Sequence, residues 1–231
     1  IIGGAVLIVL LVGANEVWKW YRSSTAANAS DQYYAAVEMA DSGDVAGAQA
    51  AFAELEASGP AGYGILARFQ EAALLAEQGD PQGAIEAYDA LAASLDQRRL
   101  RELAYILGGY LAVDHLDVGA VEQRVGGLTG EDSAMRNSAR EALGLAHYKA
   151  GNLEEARINF EAMAADPNAG QDIQLRAFIY LEQLASTGVD VSEDLLGATG
   201  PMDTAPEQAT VPAQSPSLDT VGQPLEAETE Q

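Results

Sequence analysis

The chain has 231 residues, enough to bury a sizeable core, and 48% of them are apolar. Its 35 acidic and 12 basic residues give a formal net charge of -23. This charge argues against nucleic-acid binding, and also against docking on anionic lipid through a basic face. The absence of cysteine excludes disulfides, thiolate zinc sites and thiol catalysis.

The chain opens with an apolar, uncharged run at residues 1–14, IIGGAVLIVLLVGA. An aromatic and cationic stretch follows it and contains Trp18, Lys19, Trp20, Tyr21 and Arg22. Amphipathic rings beside snorkelling cations are typical of a membrane–water interface. A spanning helix needs roughly 20 apolar residues. We therefore expect residues 1–22 to be the exit half of a transmembrane anchor whose start precedes Ile1.

Two other interpretations of this segment remain open. One is a cleaved signal peptide, since Ala27-Asn28-Ala29 has the small-x-small pattern of a cleavage site. The other is a buried helix in the core of a soluble domain. The aromatic stretch favours the anchor over both, because neither alternative requires it.

Four segments with a period of about 35 residues follow. Three contain a glycine before Asp or Asn, at Gly43-Asp44, Gly79-Asp80 and Gly151-Asn152, and His115-Leu116-Asp117 replaces this turn in the third segment. Glycine can end a helix in the left-handed conformation, and Asp or Asn can cap the next one. The pattern predicts four helical hairpins, of which the third is irregular.

Each segment also carries an apolar stripe at helical spacing. A small residue comes first, then a bulky one, then a third apolar residue: Ala48, Phe52 and Leu55; Ala84, Tyr88 and Leu91; Val121, Val125 and Leu128; Ala156, Phe160 and Met163. Small side chains allow two antiparallel helices to approach closely. We interpret all of these residues as core.

The last segment, ALGLAHYKAGNLEEARINFEAMAADPN, resembles the tetratricopeptide repeat family almost throughout. Gly144, Tyr148, Ala156, Phe160 and Pro167 stand at positions that the family marks. The resemblance covers about residues 30–186. It implies an all-α solenoid of helical hairpins, with four repeats at 23–170.

Two further parts complete the predicted organisation. Residues 171–187 read as an amphipathic helix that caps the last repeat, as repeat arrays require. Residues 188–231 form an acidic, Pro-rich tail without Lys or Arg, which predicts disorder. The tail serves either solubility or recognition.

No nucleotide-binding loop, metalloprotease helix, nucleophile elbow or calcium loop is present, so we expect no enzyme, no cofactor and no metal. The candidate binding groups are arginines of the predicted first helices, which line the concave face of such solenoids. They are Arg68, Arg98, Arg99, Arg101, Arg136 and Arg140. They are placed to bind carboxylates of a protein partner. The alternative is that they neutralise neighbouring Glu and Asp.

An apolar anchor with an aromatic exit, GANEVWKWYRSSTAANASDQYYAAV, followed by alanine-rich repeats, resembles the YfgM-like family of ancillary Sec translocon subunits. This resemblance implies a single-pass protein of the bacterial inner membrane with its repeats in the periplasm. The implied partners are the Sec translocon and a periplasmic chaperone, during protein export. The alternative is a structural or assembly subunit of another envelope complex, such as a respiratory, cell-division or outer-membrane assembly machine.

Overall fold

The computed structural model describes the backbone of residues 2–192 and the side chains of Lys19 and residues 23–192. Most of the predicted anchor at 1–22 lies outside the described side chains, including Trp18, Trp20, Tyr21 and Arg22, whereas Lys19 is exposed. The part of the predicted tail beyond residue 192 also lies outside the described residues. Within the described part, no helix combines the length and apolar character needed to cross a membrane.

The described chain is all-α and forms successive antiparallel hairpins, which confirms the predicted helical-hairpin solenoid. The pairs are α1/α2, α3/α4, α5/α6 and α7/α8, and α9 packs on α8. The helices are α1 (Ile2–Asp41), α2 (Val45–Ser58), α3 (Ala61–Glu77), α4 (Pro81–Ser94), α5 (Arg98–His115), α6 (Val118–Val125), α7 (Arg136–Lys149), α8 (Leu153–Ala164) and α9 (Gln171–Ser186). We call α1, α3, α5 and α7 the first helices of the hairpins.

Glycine ends the first helix in three hairpins, as the sequence predicts. Gly43, Gly79 and Gly151 have φ values of 87°, 82° and 80°, a region that L side chains rarely adopt. The Asp44 carboxylate accepts a hydrogen bond from Gly47 N, and Asp80 caps α4 in the same way. The prediction that the Asn152 side chain caps α8 is wrong, because this side chain makes no capping hydrogen bond.

The third hairpin is irregular, as predicted. Helix α6 has 8 residues, against 14 in α2 and in α4, and continues into a 3₁₀ turn at 126–128. Lys149 of the next hairpin closes the end of α5, where its Nζ donates to the carbonyl oxygens of Val113 and Asp114 at 3.0 and 2.5 Å. A cation at a helix C-terminus satisfies orphan carbonyls and the helix dipole. Lys149 therefore satisfies carbonyl groups at the end of a first helix that has no turn glycine.

The predicted stripe forms the core between paired helices. Ala48, Ala84, Val121 and Ala156 are fully buried, and the bulky residues are at most 6% exposed. Leu128 is the exception, because the 3₁₀ turn leaves it only partly buried. The small and the bulky residue of the stripe are thus core in every hairpin, and the third residue is core in three of them.

The packed region extends beyond the capping helix. Gly188 ends α9 with a φ of 90°. Val191 is 5% exposed and joins the apolar cluster of α8 and α9, and Ser192 donates to Glu161 Oε1. Residues 188–192, which the sequence assigns to a disordered tail, are therefore part of the folded cap.

Gly144 marks the closest approach of two helices in the fourth hairpin. A Cβ at this position would lie 2.4 Å from Cε1 of the Phe160 ring, far inside van der Waals contact. Gly109 has the same relation to Val125, at 2.5 Å from Cγ1. Glycine is needed here because a bulky side chain of the second helix occupies the space of the missing methyl group.

Gly144→Ala should lower the free energy of unfolding by about 1–3 kcal/mol, because overpacking outweighs the gain in helix propensity. The measurement is urea unfolding followed by circular dichroism. Gly62→Ala is the matched control: Gly62 is exposed in α3 and has open space around its Cα, so this change should be neutral or stabilising. Equal stability of Gly144→Ala and wild type would contradict the close packing.

Candidate protein-binding surface

The described residues contain no cluster suited to a metal ion. No group of three His, Asp or Glu side chains lies close enough together to hold a metal ion among them. His115 is exposed at the end of α5, and His147 is half-buried in α7 with its Nδ1 3.4 Å from the Asn152 amide.

The first two arginines of the α5 cluster are placed differently from each other. Arg98 Nε lies 2.6 Å from Glu102 Oε1, and its Nη2 lies 2.7 Å from Asp132 Oδ2. The hydrogen bond from Arg98 holds the pKa of Asp132 below its usual value. Arg99 is exposed and forms no hydrogen bond or ion pair in the described part of the chain. Arg98 thus joins α5 to the loop before α7.

Arg136 and Arg140 converge on one buried carboxylate. Arg136 binds Asp166 in a bidentate manner, with Nε–Oδ2 at 2.6 Å and Nη2–Oδ1 at 2.9 Å. Asn137 donates to the same carboxylate at 2.8 Å, and Arg140 Nη1 lies 3.5 Å away. The Arg136 hydrogen bond in particular holds the pKa of Asp166 well below its usual range. These contacts fasten the start of α7 to the end of α8.

The remaining two arginines also have partners within the chain. Arg68 donates to Ser94 Oγ at 2.7 Å and lies 3.4 Å from Glu56, and Arg101 donates to the carbonyl oxygen of Leu95 at 3.2 Å. Five of the six candidate arginines therefore make internal contacts. These contacts match the neutralising interpretation, whereas binding of a partner by these residues stays a prediction.

Glu141 of α7 joins three helices and was not among the predicted residues. It is 5% exposed and accepts four hydrogen bonds at 2.8–3.1 Å, which saturate both carboxylate oxygens. The donors are Tyr110 of α5 and, from α9, Arg176 and Tyr180. This network fixes the capping helix to the third and fourth hairpins through charged hydrogen bonds.

The tyrosines of this network have raised pKa values. Burial first, and then the hydrogen bond to Glu141, raises the pKa of Tyr180 to about 12 and also raises the pKa of Tyr110. Both hydroxyls stay protonated at neutral pH and act as donors. The Glu141 network therefore has a structural role, in which it holds α5, α7 and α9 together.

The large exposed apolar side chains lie mainly on α1, α3 and α9. Five of the six large apolar residues exposed in the described part belong to first helices or to α9, and Ile158 of α8 is the sixth. The five are Tyr34, Met39, Leu66, Leu175 and Ile179. Apolar and aromatic side chains are common at the centres of protein interfaces. The exposed faces of α1, α3 and α9 are thus suited to contact a protein partner.

Four hairpins, glycine turns and a capping helix define an α-helical repeat protein of the protein-binding class. Residues 1–184 match a family described as Tetratricopeptide repeat-like domain. The chain belongs to this family. No curated protein and no solved structure matches it. Repeat domains of this kind are in general protein-binding modules without catalytic activity.

The contribution of the Glu141 network can be measured with a double-mutant cycle. Glu141→Gln and Arg176→Met should each destabilise the fold by about 2 kcal/mol, with a coupling energy of about 1–2 kcal/mol between them. Chemical unfolding of the two single variants and the double variant gives these values.

The control for this cycle is Asp172→Asn. Asp172 pairs within α9 with Arg176, and its side chain is 74% exposed, so the loss should stay below about 1 kcal/mol. Additive effects of Glu141→Gln and Arg176→Met would show that the network does not act as a unit.

Proposed function

We propose that the protein is a scaffold anchored in the bacterial inner membrane, with periplasmic repeats that associate with the Sec translocon and periplasmic chaperones during export. Three features support this: the family of the repeats, the apolar run with its aromatic exit, and the resemblance of that arrangement to ancillary translocon subunits. The protein acts by binding other proteins, and no enzymatic step is required of it.

The continuity of α1 is the observation on which this proposal depends most. The helix runs from Ile2 to Asp41 without interruption and is therefore about 60 Å long. Residues 30–41 of the same helix form the first half of the first hairpin. An anchor at its beginning would thus continue into the repeats without a flexible linker. The first hairpin would stay close to the bilayer, where translocon subunits and emerging chains are found.

A second function is supported by the same arrangement. A rigid helix that carries a repeat array also suits a structural or assembly subunit of another envelope complex. The two functions differ in their partners, which only an experiment on native membranes distinguishes.

Crosslinking with mass spectrometry in native membranes should recover peptides of the translocon and of a periplasmic chaperone joined to residues of the first helices. A matched variant that replaces residues 1–14 by an unrelated transmembrane helix separates anchoring from binding, and it should retain these crosslinks. Recovery of respiratory, cell-division or outer-membrane assembly subunits instead would replace the translocon by the second function.

Arg99 is the candidate arginine best placed to reach a partner, because it is exposed and has no internal contact in the described part. Arg99→Ala should reduce partner recovery in the crosslinking experiment and change the free energy of unfolding by no more than about 0.5 kcal/mol. Arg99→Lys keeps the charge and should retain most of the recovery. Equal recovery with Arg99→Ala would remove Arg99 from the binding surface.

A further inference from the structure

Negative charge is concentrated in the first two hairpins. Residues 23–96 contain twelve Asp and Glu but a single basic residue, Arg68, which already contacts Glu56. Residues 97–192 contain fourteen acidic and nine basic residues, most of which are paired with each other or with carbonyl oxygens, while Arg124 pairs with Asp89 of the second hairpin. The first two hairpins therefore present the least neutralised charge among the described repeats.

A groove runs between two first helices, α1 and α3, on this acidic part of the chain. Val37 and Ala40 of α1 and Ala73 and Leu74 of α3 form its walls, and Phe52 of α2 contributes to its lining. The groove encloses about 60 Å³. Its apolar lining suits a methylene chain or a small apolar side chain.

Two carboxylates complete the lining at the C-terminal ends of the same helices. Asp41 ends α1 and Glu77 ends α3, and both are exposed. Neither forms an ion pair or a hydrogen bond within the described part of the chain. Gln70 also lines the groove, and its amide is held by a 3.0 Å hydrogen bond to Tyr33 Oη. The groove thus combines apolar walls with two free negative charges.

We propose that this groove docks a basic segment of a partner protein in which Lys or Arg stands beside apolar residues. The methylene stem of the basic side chain lies against Val37 and Ala73, and its cationic head reaches Asp41 and Glu77. The inference rests on the proposed function as a protein-binding scaffold, and it assigns the chemistry of the partner.

Charge decides between the possible occupants. Residues 193–231 of the chain contain eight acidic residues and no Lys or Arg, so they carry the same sign as the groove. A second copy of the first two hairpins would bring eleven further net negative charges. Like charges in contact oppose binding, whereas a basic segment is attracted and steered toward the groove.

The test uses the full chain in detergent and a fluorescein-labelled peptide of four Gly-Lys-Leu repeats, with binding measured by fluorescence anisotropy. The double variant Asp41→Asn/Glu77→Gln should weaken binding about fivefold, as expected for the loss of two exposed charge contacts. Glu54→Gln/Glu86→Gln is the matched control. It makes the same change in net charge on exposed residues of α2 and α4, outside the groove, and should change the affinity less than twofold.

Two companion peptides test the two parts of the occupant. Replacing every Lys by Gln should abolish measurable binding, and replacing every Leu by Ser should weaken it severalfold because the apolar walls lose their contact. Equal loss in the groove variant and in the control would show nonspecific attraction to an acidic surface and would overturn the proposal. An affinity unchanged by Asp41→Asn/Glu77→Gln would overturn it as well.

This result is separate from the crosslinking experiment. Absence of translocon peptides from wild-type crosslinks ends the translocon assignment but leaves peptide binding in the groove intact. Normal recovery of partners with Asp41→Asn/Glu77→Gln, together with unchanged peptide affinity, ends the role of the groove and leaves the scaffold function standing.

Discussion

The close contact between the two helices of a hairpin is the constraint on which the rest of the structure depends. In the fourth hairpin Phe160 packs into the space that the missing side chain of Gly144 leaves, and Val125 does so against Gly109 in the third. Ala36 and Ala72 stand at the corresponding positions of the first two hairpins and are fully buried. Small residues on the first helix thus allow a bulky residue of the second helix to fill the core. This contact therefore recurs in every hairpin, including the irregular third one.

Carboxylates join helices both within one hairpin and between neighbouring hairpins. Glu141 binds donors from α5 and α9, and Asp166 binds Arg136 and Asn137 across the fourth hairpin. Arg124 of α6 likewise reaches Asp89 of α4, with Nη2–Oδ2 at 2.7 Å. Carboxylates or carbonyl oxygens hold seven of the eight arginines of residues 97–192. The uneven distribution of free charge follows, because the first two hairpins have almost no arginine to pair with their acidic residues.

The sequence patterns predicted the regular features well, but they did not predict most of the polar side-chain contacts between helices. The glycine turns, the apolar stripe and the irregular third hairpin are local or periodic, so the printed residues reveal them. Asp132 and Asp166, which bind Arg98 and Arg136, lie 34 and 30 residues away along the chain, in loops whose positions the sequence pattern does not fix. Glu141 gave one usable signal: it is an acidic residue on a helix face where apolar residues recur. Lys149 gave none, since its contact depends on where α5 happens to end.

The sequence by itself determined that the chain is a helical repeat protein with an apolar, aromatic-flanked start. Turn glycines and helical spacing act through local sterics and burial, and they need no knowledge of the remainder of the fold. Only the tertiary structure decided which charges remain free. Most candidate arginines are paired with internal carboxylates. Asp41 and Glu77 both line an apolar groove and have no partner in the described part. Whether a charged group is paired depends on distances between helices, and those distances are set by packing.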